Sequence, residues 1–421
     1  MGQLQEVEQH IKEGDVEALS LLLDRLSLST DYNMLYESAY LLASYGFMAE
    51  ADRIYEVLIE NLPDEAQLKI DRANTLMELG EEDDALLLLS EIRPEEDEYI
   101  QALLVLADYY HMTGLAETAL SKIKEAFKLA PEEPVIRFAY AELLLDSGKY
   151  GEAIRLYLAL KDEVQEIGGV SIVSRLAETY SAGAAYEEAI PYYEELLKEQ
   201  VGPDLLFGAA FAYFQSKNTE RSISLLNKLI EMDPDYFSAY MLAGQAYSLA
   251  GEDLEAYNMF KDGIRRDEFD KEFQLSAGKS ALKLGLPVEA EEHLKEAFAL
   301  DPEYTEALIT LASLYNELER DEELIELLSY TKDDWDDIPL LEAFKAYSND
   351  RLEQFEKAYE SYRKAYVGMD EDHDFLTNYT NFLIEDGKQN EAIEIAKKIV
   401  SLYPDDENWR EFLELQTDEE V

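Results

Sequence analysis

The chain has 421 residues, 47% of them hydrophobic, with Lys+Arg 36 against Asp+Glu 93 and a net charge of −57. It holds no cysteine, which excludes disulfides, thiolate metal sites and a cysteine nucleophile and fits a reducing compartment. So acidic a surface repels phosphate backbones and anionic lipid, so neither nucleic acid nor membrane is an expected partner; the same field favours solubility and attracts basic proteins.

Residues 3–29 read as a helix pair, with Gly14-Asp15 at the turn and Leu19, Leu22, Leu23 and Leu26 as its apolar stripe. The first ten residues are polar and acidic and lack the pattern of a signal peptide, and no apolar run is long enough to span a bilayer. The cytoplasm is therefore the expected location.

From Tyr32 a pattern repeats. Leu103, Leu106-Ala107, Tyr110, Gly114, Ala119 and Ile123 have the spacing of Tyr240, Ala243-Gly244, Tyr247, Gly251, Ala256 and Phe260. Units begin near Tyr32, Ala66, Ile100, Pro134, Val170, Pro203, Phe237, Lys271, Thr305, Pro339 and His373, a period of about 34 residues. Each unit predicts two antiparallel helices. A small residue recurs in the first helix (Ala39, Ala73, Ala107, Ala141, Ala177, Ala210, Gly244, Gly278, Ala312, Ala346) and another in the second (Ala51, Ala85, Ala119, Ala153, Ala189, Ala256, Ala290, Ala358, Ala392). Helices approach closely only where side chains are small, and larger neighbours then interlock. Gly46, Gly80, Gly114, Gly148, Gly251, Gly285 and Gly387 sit where the first helix must end in a left-handed cap. Pro63, Pro131, Pro234, Pro302 and Pro404 stop the second helix. Most of the 29 tyrosines, among them Tyr55, Tyr157, Tyr193 and Tyr362, fall at packing positions.

The rule breaks twice. A longer spacer with Gly168-Gly169 lies between Lys161 and Val170. From Glu319 to Glu353 the glycine slots are lost, Leu324 replaces Ala, and an acidic loop, Asp333-Asp334-Trp335-Asp336-Asp337, intervenes. The chain is thus expected to comprise an amino-terminal capping pair (1–31), an array of nine units (32–338), two further units (339–406) and a capping helix with an acidic tail (407–421). A hinge or change of curvature is expected near 319–338. In the last helix Trp409, Phe412 and Leu413 share one side, opposite Glu407, Glu411 and Glu414, as a polar-faced cap requires.

The order large, large-small, aromatic, Ala, aromatic, Pro at this period resembles the tetratricopeptide-repeat family over about residues 32–406. The acidity is similar to that of cytosolic members from Gram-positive bacteria. The resemblance implies an all-α, right-handed superhelical α-solenoid of about eleven helix-turn-helix units with helical caps. It also implies recognition of other proteins on a concave face lined by the first helices. Carried onto this sequence, the groove positions include Tyr36, Tyr40, Asn74, Asp108, Glu142, Leu275 and Asn316. The partner-binding candidates are Phe138, Arg175, Phe207, Phe211, Phe214, Met241, Gln245 and Lys279. Phe207, Phe211 and Phe214 are spaced by four and three, which puts them on one helical face. Members that clamp a carboxylate tail need cations where this chain has Glu37, Asp71, Asp108 and Glu142, so an acidic tail is a poor fit.

Enzyme signatures are lacking. His10, His111, His293 and His373 are scattered and no phosphate loop or nucleophile elbow occurs. Asp370, Asp372 and Asp374 imitate a calcium loop, but Phe375 stands where glycine is required. No cofactor or metal is expected. The reading is a non-enzymatic adaptor or scaffold holding an apolar or basic segment of client proteins. The alternative is an acidic sequestering protein, or nucleic-acid mimic, that holds a basic partner by charge.

Overall fold

The computed structural model describes residues 3–13, 16–26, 29–329 and 338–418. The expected turn at Gly14-Asp15, the acidic loop at 333–337 and residues 330–337 of the expected hinge lie outside them. The regular structure of the described residues is almost wholly helical, and they divide into two compact units, Met1–Ser216 and Lys217–Val421.

In the first unit α1 (Gln3–Glu13) and α2 (Val16–Leu26) precede the hairpins α3 (Tyr32–Ser44)/α4 (Met48–Asn61), α5 (Ala66–Leu79)/α6 (Glu82–Ser90), α7 (Tyr99–Met112)/α8 (Ala116–Leu129) and α9 (Pro134–Asp146)/α10 (Tyr150–Lys161). A short ribbon, β1 (Glu166–Ile167) and β2 (Val170–Ser171), leads to α11 (Ile172–Ala182)/α12 (Tyr186–Glu199) and then α13 (Pro203–Gln215). The second unit runs from α14 (Thr219–Met232) through α15 (Phe237–Ala250)/α16 (Asp253–Ile264), α17 (Lys271–Lys283)/α18 (Pro287–Leu300), α19 (Thr305–Glu317)/α20 (Asp321–Ser329), α21 (Pro339–Arg351)/α22 (Phe355–Met369) and α23 (His373–Glu385)/α24 (Gln389–Leu402) to α25 (Glu407–Asp418).

Close helix crossings organise both cores. The recurring alanines from Ala39 to Ala392 are buried. Where glycine takes the slot the approach is closer still: a Cβ on Gly244 would lie 2.3 Å from the Phe260 ring, and one on Gly278 2.8 Å from Leu294. Tyr55, Tyr157, Tyr240 and Tyr362 are fully enclosed among these crossings. The repeated caps have positive φ at the expected glycines. Four units keep the same left-handed residue without glycine, at Ala184, Lys217, Glu319 and Glu353. The turn is therefore dictated by hairpin stacking, and glycine only lowers its cost.

The spacer after α10 holds a two-stranded antiparallel ribbon that the sequence reading lacked. Gly168 and Gly169 both have positive φ, the conformation a tight two-residue hairpin turn demands. At the carboxyl end Trp409 is buried, and its Nε1–H donates to the Thr377 hydroxyl at 3.3 Å. It covers the apolar end of the stack together with Phe412 and Leu413.

Candidate protein-binding groove

Side chains that bridge successive first helices define one shared face in each unit. In the first unit the Tyr36 hydroxyl on α3 donates to Asp71 on α5 at 2.9 Å. His111 on α7 lies 3.1 Å from Asp146 on α9, and Arg175 on α11 lies 3.0 Å from Glu142 on α9. In the second unit Lys283 on α17 donates to Ser248 on α15 at 2.9 Å, and Lys279 on α17 pairs with Glu306 on α19. Arg351 on α21 donates to Asn316 on α19 at 2.9 Å. Among the positions read as groove-facing, Tyr36 and Asp71 thus adjoin, as do Glu142 and Arg175, each pair bridging neighbouring first helices.

Near the start of the first unit this face holds a cleft of about 180 Å³ lined by Tyr40, Met48, Tyr55, Asp71, Asn74 and Glu78, among others. Tyr40 is 64% exposed. Asp71 accepts from Tyr36 and, at 2.8 Å, from Gln67. Both donors are neutral, and together they fix the orientation of the carboxylate. Burial, and then the bond to Asp71, push the Tyr36 hydroxyl up to about 12. A cleft with two carboxylates and an open aromatic ring, and no basic residue in its wall, is chemically suited to an ammonium or guanidinium group.

The candidate residues fall into three groups. Phe138 is partly buried and packs edge-on against Tyr157 at 6.0 Å. Phe207, Phe211 and Phe214 are all partly buried rather than open, and Phe211 sits edge-on to Tyr186 at 5.8 Å. Met241 packs against the core of the second unit. These five apolar residues thus present only part of their surface. Gln245 is exposed. Arg175 and Lys279 are partly open but already paired with acids of their own face, Glu142 and Glu178 for the first and Glu306 for the second. Leu275, read as a groove position, is only 4% exposed and belongs to the core. In α17 the segment around it is buried on both sides, which a single helical period does not reveal.

Tyr157 donates to Glu142 from beneath, and its ionisation is pushed up by burial and by that bond. Glu142 thereby gathers a tyrosine from the core and an arginine from the next hairpin, a relationship invisible in either repeat alone. Among the described residues no group of three or more His, Asp or Glu side chains is placed to hold a metal ion, and no described helix is long and apolar enough to cross a membrane.

Stacked helical hairpins with small residues at their crossings and one bridged face define a tetratricopeptide-repeat solenoid. Residues 111–164 match the family described as YpiA-like, tetratricopeptide repeats. Residues 339–406 match its YpiA-like, C-terminal tetratricopeptide repeats, and residues 175–237 match a general tetratricopeptide repeat. TPR repeat-containing protein YpiA of Bacillus subtilis is 37% identical over 365 residues, which are 87% of this chain and 86% of that protein. The chain belongs to the YpiA-like family of tetratricopeptide-repeat proteins.

Among solved structures, the C-terminal part of a TPR repeat-containing protein from Cytophaga hutchinsonii is 15% identical with a TM-score of 0.45, covering 65% of this chain and 98% of that one. The crystal structure of YrrB, described as a TPR protein with an unusual peptide-binding site, is 19% identical with a TM-score of 0.38, covering 44% of this chain and 95% of that one.

Proposed function

We propose that this protein is a non-enzymatic adaptor or scaffold of the cytoplasm that holds a basic segment of client proteins, with apolar residues interspersed, against the face of its first helices. The observation that carries this reading is the cleft of Tyr40, Asp71, Asn74 and Glu78, in which an aromatic ring and two carboxylates stand without a cation. A lysine or arginine of the client enters it. Further along the first unit, apolar client side chains rest on the partly open rings of Phe207, Phe211 and Phe214 and on Phe138. In the second unit Met241 and Gln245 take the same role. Arg175 and Lys279 space the acids of the face and hold them in position.

The test uses the full chain, immobilised and titrated with a peptide of alternating Arg and Leu and with its Glu-for-Arg counterpart. The basic peptide binds and the acidic one does not. Asp71→Asn combined with Tyr40→Ala weakens binding about tenfold, a loss of about 1.4 kcal/mol. A cross-linked affinity purification with Phe207→Ala and Phe211→Ala loses the main client. Equal binding of the two peptides, or clients retained by all these variants, rejects the reading. Collapse of all binding at about 1 M salt, where charges are screened beyond about 3 Å, favours simple sequestration by charge over a groove that also uses apolar contacts.

A further inference from the structure

Away from the bridged face, the first unit contains a cavity of about 340 Å³ among α6, α7 and α8, walled by Leu86, Leu89, Leu103, Leu106 and Tyr110 and by Lys122. Its origin can be traced to one missing side chain. Counting the same number of residues from the start of each unit reaches Ile59, Phe127, Leu197, Ile230, Ile264, Phe298, Tyr366 and Val400, all near the end of the second helix. Each is large, apolar and partly buried. Phe127 shows the role: its ring packs at 5.5 Å on Tyr140 of the following hairpin. This side chain is the wedge between one hairpin and the next.

Among the described residues two units lack the wedge. In one, Lys161 stands in the position. There the ribbon compensates: Val164 and Ile167 pack against the core, and Lys161 lies over the Tyr192 ring at 4.8 Å. In the other the position is Arg93. Pro94 follows it, three residues ahead of the register kept by Pro131, and forces the preceding residue away from helical geometry. α6 consequently stops after nine residues, against fourteen in α4 and α8. Arg93 turns outward to Glu96 at 2.9 Å, and its neighbour Ile92 packs into the core at the edge of the space without closing it. Leu106, at the register of Tyr140, and Tyr110 therefore face open space.

The electrostatics of this space run against those of the chain. Ninety-three acids outnumber thirty-six bases overall, yet no Asp or Glu lines the cavity, and its single charged lining residue is Lys122. Lys122 is partly exposed and has no carboxylate partner among the described residues. The volume lies within the range of small-molecule sites, which combine apolar walls with a few polar groups that fix orientation.

We propose that this cavity is a binding site for a small apolar monocarboxylic acid, whose ring or branched chain replaces the missing wedge and whose carboxylate meets Lys122. Occupancy restores the contact between α6 and α7 that the other hairpins make with their own side chains, so the ligand also stiffens this junction.

The experiment uses the full chain and 3-(4-fluorophenyl)propionate, followed by fluorine NMR and by thermal melting, with the neutral amide as control. The acid binds saturably and raises the melting temperature. Lys122→Gln weakens the acid about fivefold, the size of one partly exposed ion pair, and leaves the amide unchanged. Ser90→Phe, an exposed position on the cavity wall, places a ring in the slot and abolishes binding. Leu106→Trp does the same from the opposite helix should Ser90→Phe unfold. Absence of saturable binding at millimolar acid, equal affinity for acid and amide, or binding that survives the ring-filling variants overturns the proposal.

Discussion

Arg175 on α11 reaches back to Glu142 on α9, with 3.0 Å between the ions, while its other amino group meets Glu178 at 2.7 Å on its own helix. This cation of the first unit's face is thus paired twice, and an incoming carboxylate meets two acids beside it. Replacing it with Gln leaves Glu142 and Glu178 unbalanced. Arg175→Gln is expected to lower stability by about 1–2 kcal/mol and to tighten a basic peptide by about threefold, since two acids are released to it. Urea unfolding and a peptide titration measure the two effects, which have opposite signs. A parallel loss of both would assign Arg175 to client contact itself.

The crossing at Gly244 tests the packing account directly. A methyl added there falls 2.3 Å from Phe260 Cε1, in a helix where alanine is otherwise favoured by about 1 kcal/mol. Gly244→Ala is expected to destabilise by about 1–3 kcal/mol despite that propensity, because the ring or the helix must move. Ala119→Leu, at a fully buried crossing of the first unit, belongs to the same class. A neutral outcome at both sites in denaturant unfolding would mean that the hairpins are not packed by their small residues.

How far the sequence could be read depended on whether a property was local to one repeat. Ala39, Ala119 or Gly278 declare themselves because every unit needs the same close approach, so the helix pairs and their caps follow from spacing alone. The β1–β2 ribbon did not declare itself, since its strands are only two residues long on either side of Gly168-Gly169 and the spacer has no counterpart in the other repeats. The candidate face was legible as a set of positions but not as a surface. Leu275 is enclosed and Phe211 is partly covered by Tyr186 because neighbouring hairpins close over them, and that closure depends on shape between repeats. The Tyr40–Asp71–Glu78 cleft was missed for the same reason: its residues belong to two neighbouring repeats, and the one signal available was the run of acids at groove positions.

Glu353 follows α21 with φ +57°, in the slot that glycine fills elsewhere. An L residue in this region carries a cost of about 1–2 kcal/mol that glycine avoids. Glu353→Gly, like Glu319→Gly at φ +53°, is expected to stabilise the second unit by about 0.5–1 kcal/mol, part of the gain being offset by the greater freedom of glycine in the unfolded chain. Thermal melts of each variant and the double variant check the sign and the additivity.

Acid sensitivity should centre on Glu291. Burial opposes its charge, but donors on Arg320 (2.5 Å), Lys295 (2.6 Å) and Tyr315 (3.0 Å) outweigh it and hold the carboxyl at about 2. Because the folded value lies below the ordinary one, its contribution is fully present above about pH 4.5 and is lost as the pH falls toward 2. Glu291→Gln is expected to cost roughly 1–3 kcal/mol at pH 7 and to flatten the stability profile of the second unit between pH 4.5 and 2. An unchanged acid limb would show that other carboxylates govern it.

Two histidines of the second unit pull its stability in opposite directions near neutrality. His293 is partly buried, with Nδ1–H donating to the buried Gln274 at 2.8 Å and Nε2 left to accept from Tyr257 at 3.4 Å. Burial, then the nearby Lys261, depress its protonation, against weaker opposition from Glu292 and Glu289. The stability it lends is therefore complete above its unfolded value of about 6.5 and declines as the pH falls through that value. His373 behaves in reverse. Its Nε2 lies 2.8 Å from Asp406, and that bond, more than its charge, raises its protonation. Its contribution is present below about 6.5 and fades as the pH rises through the folded value. The intact chain should thus show a shallow profile between pH 5 and 8. His373→Gln is expected to remove the loss on the alkaline side and expose the acid-side decline of His293. Gln274→Leu, which strips the neutral ring of its acceptor, should weaken that decline. Melting temperatures of the wild-type chain and both variants across this range decide the matter, and parallel profiles for all three would show that neither imidazole titrates with folding.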